Sequence, residues 1–159
     1  MRSSYVYIVA IFISFNVQAS NVTAKLFSLP DIQNRQKVVL SDYIGKVVYL
    51  DFWASWCSSC AKALPLYNAW DKELGNDFVV ISVNVDEVKS DGVSMAKKLK
   101  LDFPIAYDKS LEIAKMYDVS VLPISFLIDK KGNIHFRHVG FKDSDAKKIK
   151  SEIIGLLAR

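Results

Sequence analysis

The chain has 159 residues, 51% of them apolar, with a formal charge of +4 and a pI near 9.0. That apolar fraction supports a buried core without staples, which sets aside a disordered chain. The basic residues do not cluster: Lys97, Lys98 and Lys100 share one helical pattern and Lys147, Lys148 and Lys150 another, interleaved with apolar positions as on solvated helix faces. With no recognition motif present either, no nucleic-acid partner is expected.

In chain order, Arg2 is a short positive leader to an apolar stretch, residues 5–15, too short to span a bilayer comfortably. Val17-Gln18-Ala19 then places small residues at the −3 and −1 positions of a cleavage site. Residues 1–19 are expected to be a signal peptide, with an uncleaved membrane anchor as the alternative, leaving residues 20–159 as one domain. No cysteine directly follows the segment, where residue 20 is serine, so a lipoprotein is not expected. Export would place the domain in an oxidising, periplasmic setting where disulfides persist.

Residues 24–28 and 38–40 read as two arms of a hairpin, and 41–45 as one helical turn closed by Gly45. Residues 47–53 form a continuous apolar run, as in a strand buried on both faces. A helix follows Cys57, with Ala63, Leu66, Tyr67, Trp70 and Leu74 at three- and four-residue steps and Pro65 as an expected kink. Residues 78–85 read as a second buried strand, 87–100 as a helix carrying Val93, Ala96 and Leu99, and 103–107 as a short extended piece. Asp108 or Ser110 is expected to cap a short helix ending near Tyr117. A third core strand, 124–128, turns at Lys130-Lys131-Gly132-Asn133 into a strand over 134–139. Asp143 or Ser144 then caps a terminal amphipathic helix. Strand–helix–strand units imply parallel neighbours and the hairpins antiparallel ones, so an α/β sandwich with a mixed sheet is expected.

The chain's two cysteines stand together, as Cys57-Ser58-Ser59-Cys60, where a strand gives way to a helix. A thiol at a helix N-terminus gains from unpaired backbone N–H groups and the positive end of the macrodipole, and both favour the thiolate. A zinc site would need about four ligands and no further cysteine exists. A disulfide closing so short a loop would constrain little of the unfolded chain. Reversible dithiol chemistry is the expectation, with Cys57 as nucleophile and Cys60 as resolving thiol. Ser58 and Ser59 keep their N–H groups and add hydroxyl donors, so the Cys57 pKa is expected below about 8.5. Asp51, six residues earlier on a buried strand, is expected to be desolvated and to act as proton acceptor for Cys60 through water. Trp53 is expected in the core and Trp56 as a partly exposed platform beside Cys57. His135 and His138 are three apart on a strand and so point to opposite faces; no shared metal is expected.

Asp51-Phe52-Trp53-Ala54-Ser55-Trp56-Cys57-Ser58-Ser59-Cys60 resembles the active-site stretch of the thioredoxin superfamily, and Val121-Leu122-Pro123-Ile124-Ser125-Phe126-Leu127-Ile128-Asp129 resembles its cis-proline strand. The leading hairpin and the αβ segment inserted between residues 86 and 107 are similar to the exported TlpA/ResA/DsbE-like branch. The resemblance implies a thioredoxin-like three-layer α/β/α sandwich and an exported thiol–disulfide oxidoreductase acting on protein thiols and disulfides without a cofactor. It further implies a reductant role, in cytochrome c maturation for many members, with a membrane electron donor as partner. By the same resemblance Pro123 is the cis-proline, Leu122 a substrate-facing contact, and Glu87 a second candidate buried acid in Val83-Asn84-Val85-Asp86-Glu87. The pattern departs at Ser59 (usually Pro), Ala61 (Arg), Ala63 (Glu) and Ile124 (Thr), which strips polarity from the site's rim. Leu122, Ile124, Ala61 and Ala63 would then form an apolar rim. A monomer is expected. The competing readings are a disulfide-donating oxidant, a Cu(I)-binding chaperone, for which the cysteine spacing and a distal histidine are wanting, and a thiol peroxidase, whose preceding Pro and Thr/Ser are absent.

Overall fold

The computed structural model describes residues 22–159, so the expected signal peptide, residues 1–19, lies outside the described residues. Strands β1 (Val22–Thr23), β2 (Ser28–Leu29) and β3 (Val38–Val39) lead through a 3-10 turn, Leu40–Tyr43, into β4 (Val47–Trp53) and α1 (Ser58–Glu73). There follow β5 (Phe78–Asn84), α2 (Lys89–Lys98), β6 (Ile105–Tyr107), α3 (Glu112–Met116), β7 (Ile124–Ile128), β8 (Asn133–Val139) and α4 (Ala146–Leu157).

Six strands form one mixed sheet in the order β1-β8-β7-β4-β5-β6, and β2 and β3 pair apart from it. β4, β5 and β6 run parallel, because α1 and α2 supply the crossovers that parallel neighbours require. β7 lies antiparallel to β4, and β8 to β7. Every residue of β4 and β5 is buried, which is what their largely apolar sequences demand.

The two-residue alternation of β4 sorts the core. Val47, Tyr49 and Trp53 pack with Cys60, Leu64, Tyr67 and Trp70 of α1 and with Ile149 and Ile153 of α4. Val48, Leu50 and Phe52 face the other way, against Ile113 and Ala114 of α3 and against Phe27 and Val38 around the small hairpin. The sheet is therefore sandwiched between two outer layers, as expected, with one of them thin.

Several local expectations need correction. The hairpin arms are shorter than read, and the first segment instead adds β1 to the sheet edge beside β8, with Val22 opposite Ile134. Two-residue strands are too short to carry a periodic signal. Gly45 does close its turn, at φ 97°, and its N–H donates to the Lys130 carbonyl at 2.9 Å. α1 continues through Pro65, which sits on the exposed side where a carbonyl left without its donor can be hydrated. Asp108 rather than Ser110 serves α3, accepting from the Ala114 N–H at 2.8 Å. Neither Asp143 nor Ser144 caps α4; a 3-10 turn, Asp143–Asp145, leads into it, and Asp145 accepts from the Lys142 N–H at 2.9 Å.

Candidate active site

The end of β4 carries the chain to the sheet's upper edge, and a turn over residues 54–57 delivers it to α1. The turn is closed by the Cys57 N–H donating to the Ala54 carbonyl at 3.1 Å. Cys57 is the N-cap residue of α1, and its Sγ accepts from the Cys60 N–H at 3.2 Å. The Ser59 hydroxyl lies 3.5 Å from the same sulfur. Cys57 and Cys60 are joined as a disulfide, with Cα atoms 5.3 Å apart. Both cysteines are buried, Cys60 wholly and Cys57 with 6% exposure, so Cys57 is the less enclosed of the two. A sulfur held at a helix N-terminus by N–H donors is placed to carry negative charge.

Asp51 lies on the same face of β4 as Tyr49 and Trp53, between the sheet and α1. It is fully buried, and its Oδ1 accepts from the Ser125 hydroxyl at 2.7 Å while Oδ2 has no partner. Burial pushes its pKa up to about 8, against the lowering effect of the Ser125 hydrogen bond. The strand registers explain the placement: Asp51 sits opposite Ser82 of β5 and Ser125 of β7, and Ser125 opposite His138 of β8. Ser82 accepts from the Trp53 Nε1–H at 3.0 Å, and the carboxyl takes its hydrogen bond from Ser125. The hydroxyls of Tyr49 and Tyr67, 3.5 Å apart, belong to the same buried group, and burial drives both phenols well above their ordinary pKa.

Pro123 follows a cis peptide bond with Leu122, and its carbonyl accepts from the Gly140 N–H at 2.8 Å. Leu122 is half-buried and packs against the cluster that contains Cys57 and Cys60. Trp53 is fully buried, as expected, and Trp56 is 72% exposed, more open than the partly exposed residue expected.

Glu87 is a correction. It is exposed, and the part it plays here is a backbone one, its carbonyl accepting from the Tyr107 hydroxyl at 3.1 Å. The buried acid of that segment is its neighbour Asp86, because the chain leaves the sheet after Asn84 and turns outward at Glu87. The apolar rim also needs correction: Ile124 and Ala63 are fully buried core residues, and only Leu122 and Ala61 retain partial exposure. Alternation in β7 and the inward side of α1 account for both.

The two histidines do point apart. His135 Nε2 lies 2.8 Å from Asp129, and His138 Nε2 lies 2.9 Å from Glu152 of α4 without the alignment of a directed hydrogen bond. His138 is half-buried rather than a free surface group, and burial lowers its pKa against the opposing pull of Glu152. Among the described residues, no cluster of three or more His, Cys, Asp or Glu side chains could hold a metal ion.

Sequence reasoning did not single out Ser125 or Asp86. The signal for Ser125 was a lone polar residue inside an apolar strand. For Asp86 it was the pairing with Asn84 two residues earlier at a strand end, where Asx side chains bond local backbone.

The chain is 38% identical over 109 residues to the thiol-disulfide oxidoreductase ResA of Bacillus thuringiensis subsp. konkukian, a match covering 68% of this chain and 62% of that protein. The ResA of Bacillus subtilis is 34% identical, over 64% of this chain and 57% of its own length. The chain thus matches a little under two thirds of these relatives. Among solved structures, a putative thiol:disulfide interchange protein DsbE from Chlorobium tepidum superposes with a TM-score of 0.81 at 36% identity, covering 86% of this chain and 96% of that one. The pneumococcal exposed lipoprotein thioredoxin Etrx1 from Streptococcus pneumoniae gives 0.71 at 36% identity, covering 83% and 100%. The family model for AhpC/TSA matches residues 21–137. With its disulfide at the head of α1 and its cis-proline opening β7, the chain belongs to the AhpC/TSA family and has the thioredoxin-like fold.

Proposed function

We propose that this protein is an exported thiol–disulfide oxidoreductase that reduces disulfides in protein substrates. The observation that carries the reading is the unequal pair at the head of α1: Cys57 at the N-cap and the less enclosed, Cys60 sealed behind it. The Cys57 thiolate attacks a substrate disulfide, bonding to one sulfur and expelling the other as thiolate. Cys60, losing its proton, then attacks Cys57 Sγ, which releases the substrate's second sulfur as thiolate and leaves Cys57–Cys60 oxidised.

Asp51 is the proton acceptor for Cys60 in this scheme. With a pKa near 8 the carboxyl is mostly protonated at neutral pH and accepts the Cys60 proton from its ionised fraction, which grows as pH rises toward 8. Its unpartnered Oδ2 is the atom free to do so. Trp56 and Leu122 form the contact surface, where an extended substrate segment aligns beside the buried cis-proline, Pro123.

Export rests on the leader-like residues 1–19, and the likeness to an exposed lipoprotein thioredoxin supports it. A reductant in an oxidising compartment needs an electron supply, so the proposal includes a membrane electron donor and, for the substrate, apocytochrome cysteines of the kind handled in cytochrome c maturation. The chain acts as a monomer and needs no cofactor.

The test is the reduction potential of residues 20–159, equilibrated in a dithiothreitol or glutathione series and scored by thiol trapping. A value below about −220 mV supports the reductant, whereas one near about −120 mV makes the protein a disulfide donor. Failure to form the Cys57–Cys60 disulfide at all would remove the oxidoreductase reading.

A further inference from the structure

The mechanism above makes no use of Asp86, yet Asp86 is the most heavily engaged carboxyl near the thiols. It is 3% exposed and accepts from the Ser55 N–H at 3.0 Å to each oxygen, from the Ser55 hydroxyl at 2.9 Å and from Asn84 Nδ2 at 2.7 Å. Asn84 Oδ1 in turn accepts from the Asp86 N–H at 3.3 Å. Ser55 is the second residue of the turn that ends at Cys57. Asp86 therefore grips that turn through both a backbone and a side-chain donor.

The grip continues into the inserted segment. Asn84 is fully buried beneath α2, directly against Gly92. A Cβ at Gly92 would lie 2.7 Å from both Asn84 Nδ2 and Oδ1, and 2.7 Å from Ile32 Cδ1. The Gly92 backbone is ordinary helix, so the absence of a side chain there serves close approach rather than an unusual φ. Glycine costs about 1 kcal/mol against alanine within a helix, and the close approach gives it a reason to be there.

We propose that Gly92, Asn84, Asp86 and Ser55 form a positioning chain through which helix α2 sets the geometry of the Cys57 turn, and so the stability of the Cys57 thiolate. The proposal rests on the reading of Cys57 as nucleophile. The physical step is short. The turn fixes Cys57 as N-cap, and the N-cap position is what aligns Sγ with the Cys60 N–H at 3.2 Å. A hydrogen bond to a charged sulfur is lost steeply with misalignment, and the thiolate loses stability with it. All four act through the backbone of the turn.

The test measures the pH dependence of alkylation of reduced protein for the wild type, Gly92→Ala, Ser55→Ala and Ser55→Thr, with melting temperatures taken in parallel. Gly92→Ala pushes Asn84 off Asp86 from the far side of the network, while Ser55→Ala removes one donor and leaves the charge of Asp86 in place. Both variants are expected to raise the Cys57 pKa by about half a unit or more, slowing alkylation at pH 6 about threefold, and Ser55→Thr, which keeps the hydroxyl, to stay with the wild type. Should Gly92→Ala not fold, Ser55→Ala decides alone. A Cys57 pKa within about 0.2 units of wild type in the folded alanine variants, whatever their melting temperatures, would overturn the proposal and leave the chain a purely structural one. If instead Cys60 proves the faster-alkylated thiol in the wild type, the nucleophile assignment itself falls, and this proposal with it.

Discussion

Replacing Asp51 by asparagine should change the pH dependence of stability more than stability itself. The carboxyl is fully buried, and its pKa stands at about 8 in the native state against an ordinary 3.8. Between those values the native protein holds a proton that the unfolded chain has released, so stability falls as pH rises through that window. The loss is complete above pH 8, and below pH 3.8 the two states hold the same proton and nothing is lost. At about 1.4 kcal/mol per pH unit, the difference has a ceiling of about 6 kcal/mol in alkali and about 4 kcal/mol at pH 7. Asparagine keeps an acceptor for the Ser125 hydroxyl and removes the titration. Its own unpaired N–H groups carry a cost that does not vary with pH. Urea unfolding of the two oxidised proteins, followed by tryptophan fluorescence at pH 5, 6, 7 and 8, reads the difference directly. The stability of Asp51→Asn relative to wild type should rise by about 3 kcal/mol from pH 5 to pH 7, all other titrating groups being common to both proteins. A difference that stays flat across that range would show that Asp51 titrates as an exposed acid does, and the proton-acceptor role would lose its basis.

Cys60→Ser should stop the reaction halfway: incubation with a disulfide substrate should accumulate a mixed disulfide at Cys57, visible on a non-reducing gel and cleared by dithiothreitol. Trp56→Ala removes a side chain that is 72% exposed, so unfolding free energy should stay within about 0.5 kcal/mol of wild type while kcat/KM toward a protein disulfide falls about 3- to 10-fold. Tyr117→Phe deletes the hydroxyl that donates to the Lys25 carbonyl at 2.7 Å across the second core, and should cost about 1–2 kcal/mol in urea unfolding with no change in reduction potential.

The order of elements from β4 onward, the buried central strands and the two thiols at a strand–helix junction were determined by the sequence alone, because each is a local property. A short run as apolar and β-branched as residues 47–53 reads as a strand buried on both faces, and Cys57-Ser58-Ser59-Cys60 needs only one turn of helix to bring its sulfurs together. Asp51 was legible for a related reason: an acid inside such a run has nowhere to go but the interior. The tertiary structure decided everything that depends on register between distant segments. Ser125 meets Asp51 across 74 residues because β7 pairs with β4 in one register and not its neighbour, and a slip of one residue would turn the serine to the opposite face. The same holds for Asp86 and Glu87. Adjacent in sequence and alike in chemistry, they part because the chain leaves the sheet between Asn84 and Glu87, burying one carboxyl against Ser55 and releasing the other to solvent. Local pattern tells which residues are buried; only the packing of the sheet tells which partner each of them meets there.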